Sequence, residues 1–262
     1  MRFKTMLVLL GLASAVEAAA PTTQPVNVLA PVGQGLLAVA EREDATDERL
    51  RVAITAARDA LPTDAVARAK LDTLLAGELD QQLAADIARD IAFTPSMEAP
   101  TPRGWPAFTP VGEVRLQQYP KYRIAYVDRG DTLKGGEFFT LFFHIERNNI
   151  AMTAPVEMKM TDGDKPSMKQ MAFLYENTDM GKLGQDNKVT VVDVEPLQAI
   201  SVGGRGDWSG ASMERARSLI DAWMTTHPDY VAADDLRVFG YNSPQMPKEK
   251  RYHEVQLPVK KR

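Results

Sequence analysis

Ile150-Ala151-Met152-Thr153-Ala154-Pro155-Val156 is the stretch from which the fold of this chain is read. It joins two patterns of different period. Upstream, residues 137–147 have helical spacing, with Phe138, Leu141, Phe142 and Ile145 on one face. Asn148 and Asn149 are placed to end that helix, because Asn tolerates the left-handed conformation. Downstream, residues 156–160 read as a strand. Pro155 fixes its own φ and biases Ala154 towards extended backbone. Thr153 has no recognisable base beside it. The stretch therefore reads as a joint that docks a helix on a sheet.

The same order of elements surrounds the joint twice. Residues 122–127 read as a strand, Gly130, Gly135 and Gly136 as a loop, then the helix, then strands at 156–160 and 170–175 around the turn Asp162-Gly163-Asp164. Strands at 188–194 and 199–203 follow, with a turn at Glu195-Pro196. A helix at 212–226 has Met213, Ala216, Leu219, Ile220 and Trp223 on one side. Strands at 236–241 and 252–257 close the order. A β-α-β-β unit thus recurs at a period of roughly 75 residues. Two such units predict an α+β domain, a mainly antiparallel sheet with one helix from each half.

Residues 1–110 are built differently. Arg2 and Lys4 precede an apolar run at 6–15, and Ala18 ends a run of small residues. This predicts a signal peptide over 1–18, cleaved after Ala18, and a periplasmic or secreted protein. The apolar run is shorter than the ~20 residues a spanning helix needs. Residues 21–35, rich in Pro, Thr and Gly, read as a flexible lead-in to a helical segment, the two together filling 19–94. Leu50, Ile54, Ala57 and Leu61 share a face up to Pro62, and Thr63 or Asp64 is available to cap the next helix. Leu71, Leu75, Leu79, Leu83, Ile87 and Ile91 recur every four residues, with Gly77 as a break. These helices pack on themselves, or residues 44–92 dock a protein partner. Five prolines within 95–110 mark a linker before a domain over 111–262, and Trp105 and Phe108 are placed to pin it to a core. With no Cys, disulfides, thiolate nucleophiles and Cys-bound metals are excluded. A net charge of −4 argues against nucleic acid as a partner.

The joint, Ile150 to Val156, resembles the signature of the SOUL haem-binding family. In that family it follows a helix of the form F-x-x-L-x-x-Y-I; here Phe138 to Ile145 stands there, with His144 near the aromatic position. Tyr119-Pro120-Lys121-Tyr122-Arg123-Ile124 is similar to its opening segment, and Tyr241-Asn242-Ser243-Pro244 and Arg251-Tyr252-His253-Glu254-Val255 to its last two. Ser243 and His253 depart from a Pro and an Asn. The resemblance covers about 111–258. It implies a distorted antiparallel β-barrel with two helices, related to bacterial effector-binding domains. It implies a haem- or tetrapyrrole-binding protein that does no chemistry on its ligand.

Such a ligand needs an apolar slot, cations for its propionates and optionally an axial ligand. Phe139 and Phe143 widen the apolar arc of the 137–147 helix beyond its core face. They line a ligand groove, or the N-terminal helices cover them. His144 on the flank is the candidate axial ligand to iron, and Lys134 and Arg147 the candidate propionate partners. The dense methionines at 152, 158, 160, 168 and 171 read as core filler. Two alternatives stand beside haem. One is a module for another amphipathic small molecule or a protein partner. The other is a small-molecule hydrolase with Glu254 as general base beside Tyr241. The plainer reading of Glu254 is a salt bridge to Arg251 or Arg123 at a sheet edge.

Overall fold

A computed structural model describes residues 24–131, 135–161, 163 and 166–262. The expected signal peptide lies outside the described residues. The N-terminal segment is four helices: α1 (Ala30–Ala40), α2 (Asp47–Ala60), α3 (Val66–Ala76) and α4 (Gln81–Ala92). They bury Leu36, Ile54, Leu71, Ala84 and Ala88 against one another, so the amphipathic pattern is consumed by self-packing. No helix among the described residues is long and apolar enough to cross a membrane.

α1 corrects the lead-in expected at 21–35. Its glycines suggest a loop, yet Gly33 is where α1 crosses α4 at backbone distance. A Cβ there would sit 2.4 Å from the Ala92 nitrogen and 2.6 Å from the Ala88 oxygen. The cap of α3 is also corrected. Neither Thr63 nor Asp64 serves; the Glu113 carboxylate accepts from the Val66 and Ala67 amides at 2.8 and 2.9 Å. An acidic side chain at a helix N-terminus satisfies free amides and complements the dipole. This contact ties the helices to the sheet. The break at Gly77 is present, and it turns Leu83 of the expected stripe outward to solvent.

The rest is α+β. α5 (Glu137–Arg147) and α6 (Gly210–Thr226) accompany one ten-stranded sheet, every ladder of it antiparallel. The strands are β1 (Val114–Tyr119), β2 (Tyr122–Asp128), β3 (Val156–Met160), β4 (Met168–Leu174), β5 (Gly184–Asp186), β6 (Val189–Val194), β7 (Leu197–Arg205), β8 (Tyr230–Ala232), β9 (Arg237–Gly240) and β10 (Tyr252–Lys261). The expected unit gains one strand: each half is β-β-α-β-β, with β5 and β8 as short additions. Asn149 ends the α5 turn with φ 53°.

The order across the sheet is β1-β7-β10-β9-β3-β4-β2-β6-β5, with β8 on β10. The two halves meet at β3 and β9. Each gives its first strand away: β1 pairs β7 of the second half, and β6 of the second half pairs β2. β1 and β2 are six places apart, roughly 29 Å in a flat sheet. Only Pro120 and Lys121 join them, which span at most about 11 Å between Cα atoms. Glu195 and Pro196 impose the same limit on β6 and β7. The sheet must therefore curl into a barrel-like trough, with β1 and β5 as open edges in the hydrogen-bonded path. Both helices pack outside it: α5 sets Leu141 and Ile145 on β2, β4 and β6, and α6 sets Met213, Ala216 and Ile220 on β7 and β10.

Residues 93–113 contain no helix or strand beyond a single bridge at Val111. They do not form a free spacer. They run as a strap across the concave face, with Met97, Trp105 and Phe108 in its core. The strap lies so close to β7 that a Cβ on Gly203 would be 2.1 Å from the Thr109 oxygen. On the neighbouring Gly204, paired with His253, the missing Cβ leaves room for the imidazole.

His253 is buried, and its Nδ1 lies 3.2 Å from the Gly206 carbonyl. Burial pushes its pKa from 6.5 down to about 4, against weaker pulls from Gly206 and Asp207. The unfolded chain therefore binds the extra proton first. Stability is full above pH 6.5 and falls as pH drops towards 4, by ~3 kcal/mol for this group. His253→Asn should flatten the pH 4–6.5 part of a Tm-against-pH curve; an unchanged slope would contradict this.

Candidate functional site

α5 places the residues expected to meet a ligand, but turned from the expected face. Glu137, Leu141, His144 and Ile145 are the buried positions, and Phe138 is 38% exposed rather than core. The imidazole faces inward because two partners satisfy it. Asp186 Oδ2 lies 2.8 Å from Nδ1, and the Tyr175 hydroxyl 2.8 Å from Nε2. Burial lowers the His144 pKa despite Asp186, and burial pushes the Tyr175 hydroxyl up to about 12. Arg147 donates to Asp186 at 2.7 Å and is the main cause of that carboxylate's lowered pKa. Asp186 and Tyr175 have no sequence signal: they reach His144 from β5 and from the end of β4.

Phe139 and Phe143 are 46% and 59% exposed, so the N-terminal helices leave them open. With Arg147 they recur every four residues and form one stripe along α5. Beside its end is a cavity of about 450 Å³. Arg147 and Lys182 supply cations to its lining, and His144, Ile150, Tyr175 and Leu183 also line it. Leu183 is exposed. Lys134 lies outside the described residues. Among the described residues, no group of three or more His, Asp or Glu is placed to hold a metal ion.

A second constellation fills the concave face. Glu254 is 1% exposed, on a central strand, and pairs with neither Arg251 nor Arg123. Those arginines bind Asp207 and Asp193. The expected salt bridge is thus replaced by neutral donors: the Thr109 amide at 2.8 Å, the Tyr241 hydroxyl at 2.9 Å and Gln256 Nε2 at 2.9 Å. The Tyr252 hydroxyl lies 2.8 Å from Glu254 Oε1 and 2.7 Å from the Thr109 carbonyl, and its one proton serves either. Burial, then the Glu254 charge, raises the Tyr241 and Tyr252 pKa values well above 10, so both remain donors at neutral pH. Glu254 here is a strut, held by four donors and closed to water.

Arg237 lies in the same layer, fully out of water. Its Nε donates to Gln256 at 3.1 Å and its Nη1 to Tyr122 at 2.7 Å, with Glu157 at 3.8 Å. The guanidinium lies over the rings of Phe239 and Tyr119. Burial opposes its charge, but Tyr122 and Glu157 hold its pKa above the ordinary value. Among the described residues its Nη2 has no hydrogen-bond partner. The alternation Arg237-Val238-Phe239 carries a hint of this, a cation and a ring on one strand face.

The joint is structural, as expected. Thr153 Oγ1 donates to the Leu174 carbonyl at 2.6 Å, and the Ala154 amide to Pro100 of the strap at 2.9 Å. The Ala154–Pro155 peptide is cis.

A family model described as "SOUL heme-binding protein" matches residues 106–258, more than half of the chain. The chain belongs to the SOUL family. The match starts inside the strap, so Thr109 and Phe108 are part of it. Solved structures similar to this SOUL-family chain include a hydrolase from Listeria innocua, at 14% identity over 58% of this chain and 94% of that one, with a TM-score of 0.43. The C-terminal domain of EcmrR is similar at 13% identity over 57% and 98%, with a TM-score of 0.42. At these levels the likeness says nothing about what this chain does. No curated protein matches it.

The Glu254 geometry has a direct test. Glu254→Gln turns one acceptor oxygen into a donor amide facing donors. It should destabilise the fold by about 2–4 kcal/mol. A calorimetric Tm close to wild type would show that the strut is dispensable.

Proposed function

We propose that this SOUL-family chain binds a tetrapyrrole, haem first, without acting on it. What carries the reading is the open Phe139–Phe143 stripe, which ends at Arg147 beside a cavity, on a family member. The stripe offers an apolar face, and Arg147 and Lys182 offer cations for two propionates. These residues fit a ligand held by its face and its carboxylates.

They do not fit an iron ligated by His144 as it stands. Both ring nitrogens are engaged, and ligation would require breaking the bond to Tyr175 or to Asp186. His144 instead shapes the cavity wall. Bound haem would supply a Soret band and a redox-active iron; this chain's own part is to bind and orient it. The pattern over 1–18 supports action in the periplasm or outside the cell. The helices α1–α4 consume their apolar faces among themselves, and no observation favours a protein partner for them.

Haemin titration into the purified chain tests this. A saturable Soret shift should appear, and Phe139→Ser with Phe143→Ser should weaken binding by about tenfold or more. His144→Ala should leave the band position unchanged. Binding no tighter than to an unrelated acidic protein would sink the proposal, and a band moved by His144→Ala would restore the axial ligand.

A further inference from the structure

The cavity at the end of α5 has a buried polar wall whose chemistry the tetrapyrrole reading leaves unused. Tyr175 and His144 both line it, and the Tyr175 hydroxyl lies 2.8 Å from His144 Nε2. Asp186 is held ionised by Arg147 and can only accept, so the proton of the neutral imidazole sits on Nδ1, 2.8 Å from Asp186 Oδ2. Nε2 is then an acceptor, and the phenol turns its one proton inward to it. Arg147 at 2.7 Å and the Asn148 amide at 3.3 Å donate to the same oxygen of Asp186. The lining thus carries two cations, Arg147 and Lys182, and one carboxylate, Asp186.

Set against Asp186, the two cations leave a surplus of one positive charge, which balances one ligand carboxylate. A ligand with two carboxylates needs one more, and His144 is the neutral group in the lining that can supply it. In the empty cavity burial holds its pKa below 6.5, with Asp186 pulling upward and Arg147 downward. Two added anions push it upward. On the strands behind Tyr175, Arg123 of β2 is already committed: it donates to the Met180 and Gly181 carbonyls and pairs with Asp193 of β6. Once protonated, Nε2 donates to the phenol oxygen, and the phenol proton is released to turn into the cavity, towards a ligand carboxylate.

We propose that this cavity is a dicarboxylate site that takes up one proton together with its ligand, and that His144 carries the proton. The proton comes from solvent to Nε2, and that N–H is the one bond that forms. His144 is a positioning residue: it acts on the ligand through its charge and through the Tyr175 hydroxyl it turns. The two propionates of a tetrapyrrole are such a pair of carboxylates, so the inference rests on that reading for the identity of the ligand but not for the chemistry of the cavity. The loaded state holds the extra proton. Affinity therefore rises as pH falls from the pKa His144 has with ligand to the lower one it has without, by up to about tenfold per pH unit, and is flat outside that window.

The test uses the full chain with nitrogen-15-labelled histidine, which reports His144, His227 and His253 by NMR. The His144 signals are those that a His144→Gln sample lacks. Naphthalene-2,3-dicarboxylate is the probe, and 2-naphthoate, with a single carboxylate, is the control. At pH 7 the empty chain should show His144 neutral, with its proton on Nδ1. Saturating dicarboxylate should protonate both ring nitrogens, whereas 2-naphthoate should leave His144 neutral. From pH 8 to pH 6 the dicarboxylate should bind the wild-type chain about tenfold more tightly or better, and His144→Gln should cut that gain to about twofold or less. Should that variant fail to fold, the wild-type spectra with the two probes decide alone. A dicarboxylate that does not bind, or that binds beside a neutral His144, overturns the proposal. So does 2-naphthoate protonating His144 as fully as the dicarboxylate. Haemin that shifts its Soret band in a chain failing these tests would leave the tetrapyrrole reading standing, and a chain that passes them without any Soret shift would sink that reading alone.

Discussion

A carboxylate held out of water with no cation beside it must be satisfied by hydrogen-bond donors, and the architecture around Glu254 supplies them. The donors come from three places: the Thr109 amide in the strap, Tyr241 just after β9, and Gln256 on β10 with Tyr252 beside it. Remove the strap and Oε1 loses its amide. This buried carboxylate therefore fixes the path of the strap that crosses β10. Gly203 lets that path come within backbone contact of β7.

The outside of the trough follows a different logic. There the helices dock by ordinary apolar contact, and the polar groups are paired locally, as His144 is with Asp186 and Tyr175. The separation gives the protein two surfaces of different character. The outer one, along α5, is open and aromatic beside a cationic pocket. The inner one is closed, and dense in phenols and charge.

What the sequence made legible is what short range decides. The limits of α5, the break at Gly77 and the turn at Asn149 all follow from residues within a few positions of one another. α1 was hidden because Gly33 reads as flexibility, when its purpose is set by α4 nearly sixty residues later. The cap of α3 was hidden for the same reason, since Glu113 comes from another part of the chain. At the site, Phe139 and Phe143 were legible as surplus aromatics on a helix. The rotation that buries His144 was not, because it depends on Asp186 and Tyr175 arriving from other strands. Trp105 was visible as an anchor, but the box it enters is assembled from β1, β2 and β9 and has no local pattern.

The exchange of first strands has a consequence for how such a domain comes into being. β1 belongs by sequence to the first half and by hydrogen bonding to the second, and β6 the reverse. Neither half alone carries the strand that covers its own edge. A single ancestral unit could complete its sheet only with a second copy of itself, each lending its first strand to the other. The chain reads as such an exchanged pair joined end to end. The β1–β7 and β3–β9 pairings link residues far apart in sequence, so the sheet is complete only once nearly the whole C-terminal part has been made.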